Sequence, residues 1–526
     1  MPQPPRLAYR RVQMIEYCTH STMTATDQAR IVTGEQLPEP SGQPPTEATA
    51  PRGSGDSDRS ALLADQFVRV RSILSHLDSL RMEYVYLAVA LIWGVALVVV
   101  MPPFQVPDEP AHFYRAWGLA QGQILPPRDF KEALPENVWA LQAAFPIGSI
   151  GDPAPYPDYS PSKVADLLGE RISSHTVHPV SAIPSQNPLA YVPQAFGVEI
   201  ARLTGFSPLG SFYLARLFNL LAAVALVFFA IRMAPFGKVM LLIVALFQVT
   251  ISEMASTSPD ALMISGAFFF TGLMLNLSDR TTTRDRQMVA VLAAAALLLA
   301  IKPGYFPLVA LLFLLRPRCF PSARRYVAWM SGIIGVVLVV AALMVFTAPK
   351  APADLTAVLG PAAPGADAVA QMRHVFSDPF GFVAVVLRTF GASGITYGYW
   401  MVGLLGWLTI YVSQTAVLLM LFLIVCFIGG FEGEPLVGLR RRWVLLLTWA
   451  ATMASVCLAI YAGLNVVGGA TVLGIQGRYL TPMLPLLLLG VYRLQLNRRS
   501  AAVIILVVVL AVVAMTTMRA VWYHYY

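Results

Sequence analysis

What most constrains this chain is the recurrence of apolar runs divided by short polar breaks. The first runs from about Tyr84 to Met101 and the second from Ser211 to just before Arg232. Others fall near 239–257, 260–277, 288–301, 304–316, 326–346, 402–430, 443–463, 479–492 and 501–518. Most are long enough to cross a hydrocarbon core as a helix. Hydrophobic residues make up 56% of the 526 positions and charged ones only 13%, and a soluble core cannot hide that much apolar surface. The expectation is an all-α polytopic membrane protein of about eleven transmembrane helices. The formal charge of +8 does not point to nucleic acid, because Arg and Lys sit in short clusters between apolar runs.

Residues 1–60, rich in Pro, Ser, Thr and Gly, read as a disordered cytoplasmic tail, and 61–83 as an amphipathic interfacial helix carrying Arg69, Arg71 and Arg81. A transmembrane domain of 84–518 follows, with 102–208 as a long first extracytoplasmic loop and 519–526 as a short extracytoplasmic tail. Placing the N-terminus in the cytoplasm puts every later basic cluster, including Arg280/Arg284/Arg286 and Arg440/Arg441/Arg442, on the same side. The C-terminus is then extracytoplasmic. The first apolar run is long enough to stay as an anchor rather than a cleaved signal. Cys18, Cys319, Cys426 and Cys457 are too scattered for a disulfide or zinc framework.

On this topology the unusual polar residues gather at the outer breaks. PDEPAHFYRAWGLAQG (from Pro107) opens the first loop, predicting a helix with Asp108 at the N-cap, Pro110 in the first turn and Gly122 past the end. Its Phe113/Trp117/Ala120 face suits the membrane boundary, and Glu109, His112 and Ala116 share another face. Glu253 and SPDAL with Asp260 lie at the next outer turn. IKPGY with Lys302 and Tyr305 lies at the third, and IQGRYLTP with Gln476, Arg478 and Tyr479 before the tenth span. Arg216 sits early in the second span. Ionisable groups at that depth are costly and are functional candidates. Plainer readings stand beside each: Asp108 and Asp260 as caps, Glu109 as a helix-dipole partner, Lys302 and Arg478 snorkelling to headgroups, Arg216 as a structural pair. His175 and His178 have a two-ligand spacing but no third ligand nearby.

These four blocks, above all PDEPAHFYRAWGLAQG and IQGRYLTP, resemble the bacterial membrane family called domain of unknown function 2142, over most of the chain from about Tyr84. That family is grouped with the GT-C glycosyltransferases, which use lipid-phosphate-linked sugars. The resemblance implies a GT-C-like fold in the bacterial inner membrane, with an acid of the first outer loop as catalytic base. Asp108 matches that position, with Glu109 as its neighbour, and Asp260 loosely matches a second acidic site.

The implied function is a membrane glycosyltransferase moving a sugar from a polyprenyl-phosphate donor to an envelope glycan, lipid or protein acceptor. Asp108 would act as general base, with Glu109 orienting it or ligating a metal. Arg478 and Lys302 would hold the donor phosphate, with Arg115 and His112 as further candidates. Asp260, Glu253, Tyr305, Gln476, Tyr479 and Arg216 would line the cavity. A divalent cation (Mg or Mn) on Asp108, Glu109 and Asp260 would be one source of positive charge at the leaving phosphate. Two other classes remain open: a transporter or flippase of a lipid-linked glycan, and a non-catalytic scaffold of envelope assembly.

Overall fold

The first apolar run forms helix α1 (Met82–Val100), whose only charge is Glu83 in the first turn and which stops before Pro102. The computed structural model describes residues 80–124, 131–147, 160–179, 187–347, 366–428, 430, 437–492 and 499–526. The expected tail and most of the expected amphipathic helix lie outside the described residues. Among those described, seven helices are long and apolar enough to cross a membrane. Their outward faces carry large apolar side chains such as Ile92, Val339, Leu447 and Val508, which only lipid solvates well. The chain is therefore membrane-embedded and, among the described residues, all-α but for two short two-stranded pairings.

After α1 come α2 (Glu109–Ala120), α3 (Glu136–Ala144) and α4 (Pro161–Gly169) in the first loop. A 3-10 turn (Pro188–Tyr191) then leads into α5 (Val192–Thr204). Helix α6 (Pro208–Met233) is central, packing on α1, α5 and α9 (Asp260–Asp279). Two glycines permit this contact. A Cβ on Gly197 would stand 2.5 Å from Leu214 O, and one on Gly272 2.5 Å from Ala230 O, so α5 and α9 meet the α6 backbone directly.

Helix α10 (Asp285–Ile301) precedes a 3-10 segment (Pro303–Leu314) and α11 (Ala323–Thr347). One end of the bundle is basic. Arg440 donates to the carbonyls of Phe313 and Leu315, Arg441 to Ser278 O and Asp279, and Arg442 to Tyr492 O. These guanidiniums satisfy carbonyls that helix ends leave open. Asp260 and Asp279 open and close the same helix, so the acidic breaks lie at the other end.

Four apolar runs differ from expectation. The third is broken into α7 (Lys238–Ala245) and α8 (Gln248–Met254). In place of one span over 402–430, α12 (Ala368–Ser377) and the long α13 (Pro379–Gly403) lead to a hairpin pairing Leu404–Leu405 with Ile410–Tyr411. Helix α14 (Gln414–Ile428) follows. Although α13 is long enough to cross, its surroundings keep it at the acidic end. Gln371 accepts from Gly468 N, Arg388 donates to Ala470 O, Val472 N donates to Thr389, and Trp407 donates to Phe104 O. The tenth run, after α15 (Leu439–Leu464), starts with 3-10 turns at Gly477–Tyr479 and Thr481–Met483 and only then becomes α16 (Leu484–Val491). Helix α17 (Arg499–Tyr525) runs on through the expected C-terminal tail, and Tyr526 bonds back to Val100 O.

Candidate functional site

The break after α1 turns sharply, with Phe104 (φ 66°) and Asp108 (φ 64°) both in the left-handed region that non-glycine residues avoid. Asp108 occupies the N-cap position of α2, yet its side chain makes no capping bond. The strained backbone instead aims its carboxylate outward, and Oδ2 meets Arg478 Nη2 at 3.2 Å. The aromatic face of α2 does not lie on lipid. Phe113 and Trp117 are fully buried among Phe104, Leu134, Val138, Leu141, Phe145 and Phe212, forming a separate core for the first loop.

Glu109, one residue on, points the other way. Its carboxylate grips Arg216 in a two-pronged pair (2.8 and 2.7 Å), and Thr257 N adds a third bond at 3.1 Å. Both side chains are wholly buried. Arg216 also donates to the carbonyls of Val98, Met101 and Pro102, closing the end of α1. The pair is a structural clamp tying the first break to α6 and the SPDAL turn. Glu109 thus neither orients Asp108 nor shares a metal with it, and Arg216 does not line the cavity.

Asp260 does not cap either. The Ser258 hydroxyl takes its backbone N–H, and its carboxylate pairs with Lys302 Nζ and lies 3.3 Å from Arg478 Nε. Glu253 Oε1 meets Arg478 Nη1 at 3.1 Å. Three carboxylates from two breaks thus surround one guanidinium, with Lys302 as the second cation. Tyr479 lies under both, its ring 5.0 Å from Lys302 Nζ and 5.4 Å from Arg478 Cζ. Its carbonyl accepts from Tyr305. The expected metal set does not form: Glu109 is committed to Arg216. Among the described residues no group of three or more His, Cys, Asp or Glu is arranged to hold a metal. Exposed His175 pairs with Glu136 at 3.2 Å.

Beside this cluster opens a cleft of about 330 Å³, counting the part open to solvent. Val249, Trp400, Leu404, Leu405 and Leu408 wall it, and Glu253, Gln476 and Arg478 supply its polar face. Gly477 lets the turn approach α13: a Cβ there would stand 2.2 Å from Met401 N.

All four recurring blocks, and every residue of this cluster, fall within residues 91–488, the stretch matched by a family model described as "Predicted membrane protein (DUF2142)". The chain belongs to this family. No curated protein and no solved structure matches it.

Within this DUF2142 region two expected phosphate ligands are otherwise engaged. Burial pushes His112 down to about 4, so at neutral pH it is uncharged, with Nδ1 2.8 Å from Tyr191 Oη. Arg115, fully buried, donates to the carbonyls of Gln123 and Ile124 (2.9 Å each). Glu132 is the carboxylate that favours its charge, and burial pushes the Glu132 pKa up to about 7 against the pull of Arg115. Sequence reasoning missed Glu132 and Trp400. No pattern singled out the first, and the second lay just before the run mistaken for a single span.

Proposed function

We propose that this protein is a membrane glycosyltransferase that transfers a sugar from a polyprenyl-phosphate donor to an acceptor hydroxyl, with Asp108 as general base. One observation carries the reading. Asp108 is an acid with 48% of its side chain exposed and a strained backbone, and it pairs with a buried guanidinium that lines an apolar-walled cleft instead of capping its helix. Strain and charge held together in this way are features of functional sites.

In the proposed step the acceptor oxygen attacks the anomeric carbon and its proton passes to Asp108. The bond from that carbon to the phosphate oxygen breaks, and the electron pair leaves with the phosphate, already a stable anion. No general acid is needed. Lys302, whose side chain is 27% exposed, is the cation with access to the phosphate, backed by Arg478. Because Arg478 already serves three carboxylates, Lys302 is the more available contact. The basic clusters at the opposite end favour an extracytoplasmic site.

Purified Asp108→Asn protein, given a polyprenyl-phosphate sugar and membrane acceptors, should fold normally and lose about 10²–10⁴-fold in turnover, the usual worth of a general base. Full turnover in that variant removes Asp108 from the chemistry. Movement of the donor across vesicles without transfer would favour a flippase.

A further inference from the structure

Two side chains that line the cleft each carry a buried oxygen with no partner. Glu253 is 4% exposed, and while Oε1 binds Arg478, Oε2 accepts no hydrogen bond. Gln476 is half-buried, but its Oε1 is buried and unpartnered too, just before the turn that carries Arg478. Leaving a buried acceptor unsatisfied is costly, so two beside one cleft call for donors that the protein does not supply. They come from different elements, α8 and the 476–479 turn, so a ligand serving both must carry more than one donor. Trp400 adds a flat apolar wall. Vicinal hydroxyls on a ring with apolar faces fit this combination. A carboxylated sugar does not, for it would set acceptor against acceptor where three carboxylates already outnumber two cations.

We infer that the cleft beside Arg478 holds the ring of an uncharged, hydroxyl-rich sugar carried on a lipid, with Glu253 and Gln476 accepting its hydroxyls against Trp400. This deepens the transferase reading and rests on it.

The test is equilibrium binding to the full chain in lipid nanodiscs, read by saturation-transfer NMR. The probes are octyl glucoside, octyl glucuronide, farnesyl phosphoryl glucose, octylamine and octanol. The glucoside should bind, the glucuronide at least tenfold more weakly, and octanol and octylamine without saturation. Gln476→Leu should weaken glucoside binding at least tenfold, as should Glu253→Gln, which keeps the shape should the first variant fail to fold. If Lys302→Met weakens the farnesyl phosphate compound but not the glucoside, the ring belongs to the donor; equal response assigns it to the acceptor. Turnover of Asp108→Asn and sugar binding by Gln476→Leu are read separately, so a failed base assignment and a failed subsite give different results. Equal binding of glucoside and glucuronide, or binding of octanol or octylamine alone, would overturn the subsite.

Discussion

Adjacent acids with opposite duties make Glu109→Gln the sharpest perturbation. In the parent, Glu109 neutralises a guanidinium with no exposed surface and takes three hydrogen bonds of 2.7–3.1 Å. The amide keeps the shape but removes the charge and turns one acceptor into a donor facing Arg216. Breaking one side of a buried pair costs about 3–5 kcal/mol. At about 2 °C per kcal/mol for a long chain, the melting temperature in detergent should fall by roughly 6–10 °C. Arg216→Met alone should be similarly harmful, because it strands Glu109. The double variant should recover much of the loss, though not all, since the carbonyls of Val98, Met101 and Pro102 lose their donor. The assay is a thermal melt of all four proteins, with turnover measured below the lowest transition. A Glu109→Gln protein that melts like the parent but has lost turnover would refute the separation of roles and return Glu109 to the chemistry.

Other outcomes follow from the same geometry. Gly477→Ala puts a carbon 2.2 Å from Met401 N and should push α13 away, lowering stability by about 1–3 kcal/mol and displacing Arg478; an unchanged melt would refute it. For Glu132 the folded pKa of about 7 exceeds the ordinary 4.5, so the folded state binds the extra proton. Its contribution is full below pH 4.5 and lost as pH rises through 7, about 3 kcal/mol in all. Glu132→Gln should therefore melt higher than the parent at pH 8 and nearly the same at pH 4.5, and an unchanged difference across that range would count against it. His112 has the opposite sign: stability falls as pH drops from 6.5 through about 4, and His112→Gln should flatten that limb. Leu408 sits in the left-handed region on the cleft wall, so Leu408→Gly should relieve strain without loss of fold, as a melt would show.

The apolar runs and their basic flanks were legible along the chain because bilayer thickness and charge cost act on local composition. So were the breaks that carry Asp108, Asp260, Lys302 and Arg478, since polar groups cannot be hidden in lipid. Less was legible where two apolar environments look alike. The Phe113 and Trp117 face suits a membrane boundary and a protein core equally well, and only the first loop's own packing decided for the core. Length misled at 402–430, because a hairpin of Leu, Trp and Ile reads as helix until its partner strand is in place.

What sequence alone determined is membership of the membrane class and the set of breaks where ionisable groups survive, because both follow from how each residue partitions. Which acid meets which cation was decided only in three dimensions. Asp108 and Glu109 are neighbours that point to different faces, and a bond from Asp108 to Arg478 spans 370 positions. Only the packing of α1 and α9 on α6, and of the 477–479 turn on α8 and α13, chooses Arg216 for one acid and Arg478 for the other, because pairing depends on distance in space and local composition carries none of it.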